Sequence, residues 1–130
     1  MSTILLVDDE PDIHQILDIA LRRDSSQLQM EHAYDGAEAI EIYRRLQHDT
    51  GDRCLVLMDI KMPGMDGIEA TRRLVDVDHD VFIYIFTAYA HTDYAVEALN
   101  AGARGLIQKS DDIREMLARI QKAAARVDNI

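Results

Sequence analysis

The chain is short of several things, and each shortage excludes something. A single cysteine, Cys54, in 130 residues allows no internal disulfide and suits a reducing compartment. It adjoins an apolar run, which makes it a small core residue rather than a reactive thiol. Basic residues are outnumbered, 14 against 24 acidic ones, for a formal charge of −10. A surface of that sign repels phosphates and anionic lipid, so neither direct nucleic-acid binding nor membrane association is expected. No apolar run approaches the ~20 residues that span a bilayer, and no signal peptide opens the chain, so the expected setting is cytoplasmic. His14, His32, His48, His79 and His91 lack metal-ligand spacing and read as surface or boundary residues. Low-complexity sequence is missing, as is any sign of a second domain. With 48% hydrophobic residues, residues 1–130 fit one domain that buries its own core, since domains cluster at about 100–150 residues.

What the chain does have is alternation. Thr3–Val7 and Cys54–Met58 are continuous apolar runs, as in strands covered on both faces. Gln29–Ala33 reads as a weaker strand suited to an edge, Val81–Phe86 as a fourth and Arg104–Gln108 as a short fifth. Between them lie helical periodicities: Ile13, Ile16, Leu17, Ala20 and Leu21 after Pro11; Ala39, Ile40, Ile42, Tyr43 and Leu46; Ile68, Thr71, Arg72 and Val75; Thr92 to Asn100; and Ile113, Met116, Leu117, Ile120 and Ala124. Asp35-Gly36-Ala37-Glu38 and Asp66-Gly67-Ile68-Glu69 resemble capping boxes, and Ser110 can cap the last helix. Strand and helix alternating throughout predict an α/β fold, a doubly wound parallel sheet with helices on both faces.

Polar residues follow the strands directly: Asp8 and Asp9 after the first, Asp59 after the third, Thr87 after the fourth and Lys109 after the fifth. Strand C-termini share one edge of a parallel sheet, and in the order 2-1-3-4-5 the first and third strands flank the switch point where ligands bind. Each residue alone has a plain structural explanation, a cap, a turn or a solvated charge; their coincidence at the ends of four strands does not. Three carboxylates and one ammonium leave a formal charge of −3 + 1 = −2, which a divalent cation would neutralise. Oxygen-only ligands favour a hard ion, and few protein ligands favour Mg2+. Mg2+, a lysine and a hydroxyl suit phosphoryl transfer, and an aspartate there can become an aspartyl phosphate. Asp59, alone in its loop opposite the acidic pair, is the candidate nucleophile.

These pieces, Leu5-Leu6-Val7-Asp8-Asp9-Glu10, Met58-Asp59-Ile60-Lys61-Met62-Pro63-Gly64-Met65-Asp66-Gly67, Thr87-Ala88 and Gly105-Leu106-Ile107-Gln108-Lys109, resemble in order the receiver domain of two-component response regulators, of the chemotaxis-regulator type. The resemblance implies a flavodoxin-like five-stranded receiver fold and a phosphorylation-dependent switch of a phosphorelay. It implies phosphorylation of Asp59 by a phosphohistidine on a sensor histidine kinase or histidine phosphotransfer protein. Mg2+ would be held by Asp9, Asp59 and the backbone carbonyl of Lys61, with Asp8 acting through water. Thr87 would hydrogen-bond the phosphoryl group, Lys109 would pair with it, and Ala88 would leave room. Such a protein is not an enzyme beyond its own phosphorylation and dephosphorylation. An output domain or target protein would meet the face of helix four, strand five and helix five.

Two positions depart from the family pattern. Leu106 occupies the switch position where many receivers carry Tyr or Phe, and Ser110 stands where proline often follows the lysine. Two other classes compete: a Mg2+-dependent aspartyl-phosphate hydrolase, which would carry Asp-x-Asp where this chain has Asp8-Asp9-Glu10, and a receiver-like binding module that is not phosphorylated. Finally, Ile113, Met116/Leu117, Ile120, Ala123/Ala124 and Val127 keep helical spacing near the chain's end. This predicts that residues 123–130 begin a linker to an output domain or a homodimer contact.

Overall fold

The computed structural model describes residues 3–24, 27–49, 53–88 and 93–128. The elements run β1 (Thr3–Val7), α1 (Pro11–Arg23), β2 (Gln29–Ala33), α2 (Gly36–Asp49), β3 (Cys54–Met58), α3 (Gly67–Val77), β4 (Phe82–Thr87), α4 (Asp93–Ala101), β5 (Gly105–Gln108) and α5 (Ile113–Asp128). All strand pairs are parallel, in the order β2-β1-β3-β4-β5. The apolar runs explain the order: β1 and β3 are buried at every residue and take central places, while β2, fully buried only at Ala33, takes an edge.

Because successive strand residues face opposite sides, the core divides in two. Leu5, Val7, Val56, Met58, Ile83 and Ile85 pack under α2, α3 and α4. Ile4, Leu6, Leu55, Leu57, Phe82 and Phe86 pack under α1 and α5. Each fully buried side chain of this size contributes about 1.5–3 kcal/mol.

Local chemistry sets the helix starts. Asp35 accepts from the Glu38 N–H at 2.8 Å and Asp66 from the Glu69 N–H at 2.9 Å. At α5 the cap is Asp112, which accepts from the Glu115 N–H, and not Ser110, whose hydroxyl accepts from the Asp112 N–H one step earlier. β4 starts one residue later than expected, and α4 starts at Asp93; Thr92 and His91 lie outside the described residues.

Three helices bury most of the expected stripe but each leaves one expected residue outside. On α1 the buried residues are His14, Leu17 and Leu21, while Ile16 is 39% exposed. On α3 they are Gly67, Ile68, Ala70, Thr71 and Leu74, leaving Arg72 outside. On α5, Ile113 is exposed and Met116, Ile120, Ala123, Ala124 and Val127 are buried. Small residues and a hydrogen-bonded histidine can occupy an inner stripe that apolar periodicity alone assigns to larger side chains. The expected linker segment 123–130 thus includes residues packed on the sheet to Val127; residues 129–130 lie outside the described residues.

Candidate functional site

The acidic edge is built from the ends of β1 and β3. Asp8 and Asp59 follow neighbouring strands, and the Asp59 N–H donates to the Val7 carbonyl at 2.9 Å. Asp8 is fully buried, Asp59 nearly so, and Asp9 is exposed. One carboxylate oxygen from each lies within 4.8 Å of the others. Asp8 and Asp9 do not cap α1, whose N-cap residue is Glu10 and has no side-chain cap bond. Asp8 Oδ1 instead accepts from the Glu10 N–H at 3.0 Å.

β5 delivers the cation. Lys109 Nζ lies 2.6 Å from Asp8 Oδ2 and 3.5 Å from Asp59 Oδ2. The former is a charge contact, and Asp8 Oδ2 has no properly directed hydrogen-bond donor. The Lys109 N–H donates to the Thr87 carbonyl at 2.9 Å, tying the ends of β4 and β5, and Thr87 is fully buried. Phe86 lies under the ammonium, 5.7 Å from the ring centre. Lys61, two residues beyond Asp59, is exposed, its ammonium 5.7 Å from the Tyr94 ring. Leu106, at the expected switch position, is half-buried against the α2/α3/α4 side of the core. The Lys109–Ser110 peptide is trans, like every peptide among the described residues.

Gly67 is what lets α3 begin so close to this loop. A Cβ there would stand 1.9 Å from the Asp59 carbonyl oxygen. The Gly67 N–H donates to the Ile60 carbonyl at 2.8 Å, closing the loop behind Asp59.

Burial pushes the Asp59 carboxyl up to about 6, against the pull of Lys109 and with the push of Asp8. Burial would lower Lys109, but its close contact with Asp8 and the charges of Asp59 and Asp8 outweigh it and leave the ammonium raised. One ammonium does not balance the acids, and a buried Asp8 oxygen lacks a directed donor. An oxygen-only cluster with those two properties fits a hard divalent cation.

The structure thus brings together Asp8, Asp9, Asp59 and Lys109, with Thr87 one strand along. The reading of all five histidines as surface or boundary residues fails at His14, which is 2% exposed. Its Nε2 lies 2.7 Å from the Asp8 carbonyl oxygen, and its Nδ1 lies 2.7 Å from Nδ1 of half-buried His32. The available signal was its spacing, three before Leu17 and seven before Leu21, on one helical stripe.

Comparison with known proteins points to one family. A family model described as the response regulator receiver domain matches residues 4–121. The chain is 34% identical to sporulation initiation phosphotransferase F of Bacillus subtilis, over 92% of this chain and 90% of that one. It is 31% identical to response regulator GacA of Pseudomonas aeruginosa, over 96% of this chain and 56% of that one. A solved structure of response regulator TrrA from Thermotoga maritima, in complex with Mg2+-BeF, superposes with TM-score 0.76 at 30% identity, covering 95% of this chain and 99% of that one. Several curated relatives are longer, the chain spanning 25% to 56% of their length.

Proposed function

The chain belongs to the response regulator receiver family, and from that footing we propose that it is a phosphorylation-dependent switch with Asp59 as the phospho-acceptor. The observation that carries the reading is the buried Asp59 carboxylate between Asp8 and Lys109 at the switch point of the sheet. With its carboxyl pushed up to about 6, Asp59 is still roughly nine-tenths ionised at neutral pH, so the nucleophile is available. An Asp59 oxygen attacks the phosphorus of a phosphohistidine. The P–O bond forms as the P–N bond breaks, and the imidazole leaves with the electron pair and takes up a proton.

Asp9, Asp59 and the Lys61 carbonyl would hold Mg2+, with Asp8 acting through water. When bound, the ion neutralises the charge gathering on the phosphoryl oxygens. Lys109 turns its charge toward the new group, and the Thr87 hydroxyl donates to it. The site gains roughly one negative charge on modification. Because the Lys109 N–H is bonded to the Thr87 carbonyl, movement at one strand end is felt at the other. Leu106 carries no ring, so the change passes from Thr87 and Lys109 to α4, β5 and α5 without an aromatic rotamer. Exposed Tyr94, Val96 and Leu99 on α4 supply the apolar contacts for an output domain, a target protein or a second copy. The phosphoryl donor is a histidine kinase or phosphotransfer protein in the cytoplasm. No helix among the described residues is long and apolar enough to cross a membrane.

The test is intact mass after incubation with Mg2+ and acetyl phosphate, for wild type and Asp59→Asn. Gain of one phosphoryl group by wild type alone is expected. No gain, together with no beryllofluoride binding, would replace this reading with that of an unphosphorylated binding module.

A further inference from the structure

Beside the acidic cleft lies an imidazole pair that phosphoryl transfer does not use. His14 on α1 and His32 on β2 have ring centres 4.9 Å apart, and the Tyr34 ring lies 4.2 Å from His14 on the outer side. With both rings neutral, their protons follow by elimination. The Asp8 carbonyl, 2.7 Å from His14 Nε2, can only accept, so that nitrogen carries the hydrogen and donates. A neutral imidazole has one N–H, which leaves a lone pair on His14 Nδ1. His32 Nδ1, 2.7 Å away, must then carry its own hydrogen and donate to it. Burial lowers the pKa of His32, which favours the neutral ring this pattern needs.

The acceptor at the end of the chain gives the pair its consequence. The Asp8 carbonyl belongs to the peptide plane joining Asp8 to Asp9, and that plane is rigid. Asp8 is otherwise held by its N–H on the Ala33 carbonyl, by Glu10 at Oδ1 and by Lys109 at Oδ2. His14 holds its carbonyl, and a peptide free to tilt there would move the Asp9 carboxylate with it.

We infer that His32 and His14 form a directed hydrogen-bond relay, His32 Nδ1–H to His14 Nδ1 and His14 Nε2–H to the Asp8 carbonyl, that fixes the Asp8–Asp9 peptide and holds both carboxylates in place for a divalent cation. His14 is a positioning residue, and His32 sets its tautomer. The consequence for cation binding rests on the proposed reading of the cleft; the relay does not.

Two measurements separate them. Long-range 15N–1H correlation spectra of the metal-free protein at neutral pH should show opposite tautomers, Nε2–H at His14 and Nδ1–H at His32. The same tautomer in both rings, or a cationic His14, overturns the relay. Calorimetric Mg2+ titration should then show His14→Leu weakened about tenfold, the scale of lost outer-shell support, and His14→Gln, whose amide N–H replaces Nε2–H, within about twofold of wild type. A leucine variant that binds as wild type does, or a glutamine variant no better than leucine, overturns the positioning role. If wild type binds no Mg2+, the reading of the cleft fails and the tautomers alone decide the relay. Should His14→Leu not fold, His32→Leu replaces it: His14 should lose its single tautomer, and an unchanged pure Nε2–H form overturns the inference.

Discussion

Asp59→Asn should make the metal-free protein more stable at neutral pH, although it removes the proposed acceptor. The carboxyl is raised from 3.8 to about 6, first by burial and then by Asp8. Each unit is worth 1.36 kcal/mol, so holding Asp59 ionised in the fold costs up to about 3 kcal/mol, and about 1–3 kcal/mol once water entering the cleft is allowed for. A carboxyl raised on folding favours the folded state while it is protonated. Wild type therefore keeps this contribution below about pH 4 and loses it as the pH rises through about 6. Asparagine stays neutral throughout. The two proteins should match near about pH 4, diverge between about pH 4 and 6, and differ by a constant amount above. With a urea slope of about 1–3 kcal/mol per molar, the difference is readable as a shift of the unfolding midpoint by tenths of a molar to a few molar. Acids remote from Asp59 titrate in both proteins and cancel. Saturating Mg2+ should narrow or reverse the gap, because an ion that binds wild type more tightly stabilises it by mass action. A variant no more stable than wild type at neutral pH, or a gap that does not change with pH, would refute the reasoning.

Lys109→Met should be the damaging counterpart: it leaves fully buried Asp8 without its cation and should cost about 3 kcal/mol in metal-free urea unfolding, part of it recovered by Mg2+. Gly67→Ala should cost at least about 1–3 kcal/mol, because its Cβ meets main-chain atoms of Asp59 and Ile60 rather than a side chain that can move. Thermal unfolding measures that cost, and lost mass gain with acetyl phosphate measures the displaced Asp59 loop. Tyr43→Phe removes the phenol's bond to Asp78 at 2.7 Å, which ties α2 to the end of α3; about 1–2 kcal/mol should be lost in urea unfolding, with Mg2+ affinity unchanged.

The order of the elements and the residues of the acidic edge were legible in the sequence because both are local properties. A continuous apolar run, a Pro-Gly-rich loop and an aspartate directly after a strand are read without knowing what lies across the sheet. Parallel strands bring their C-termini to one edge by topology, so Asp8, Asp59, Thr87 and Lys109 could be grouped before any distance was known. The edge place of β2 followed from its polar content.

The exact edge of each buried helical stripe did not follow. His14 looks like a surface residue until α1 is seen to bury it with Leu17 and Leu21. Its partner His32, 18 residues away, reaches it only because β2 pairs beside β1 with Leu6 opposite His32. The contrast between buried Asp8 and exposed Asp9 is likewise invisible in their adjacency, and Lys109, which meets Asp8, arrives from β5. The apolar pattern thus determined the sheet and the edge where the acids gather. Tertiary structure alone decided how each acid is held, because hydrogen bonds and ion pairs join atoms whose distance is set by packing rather than by sequence spacing.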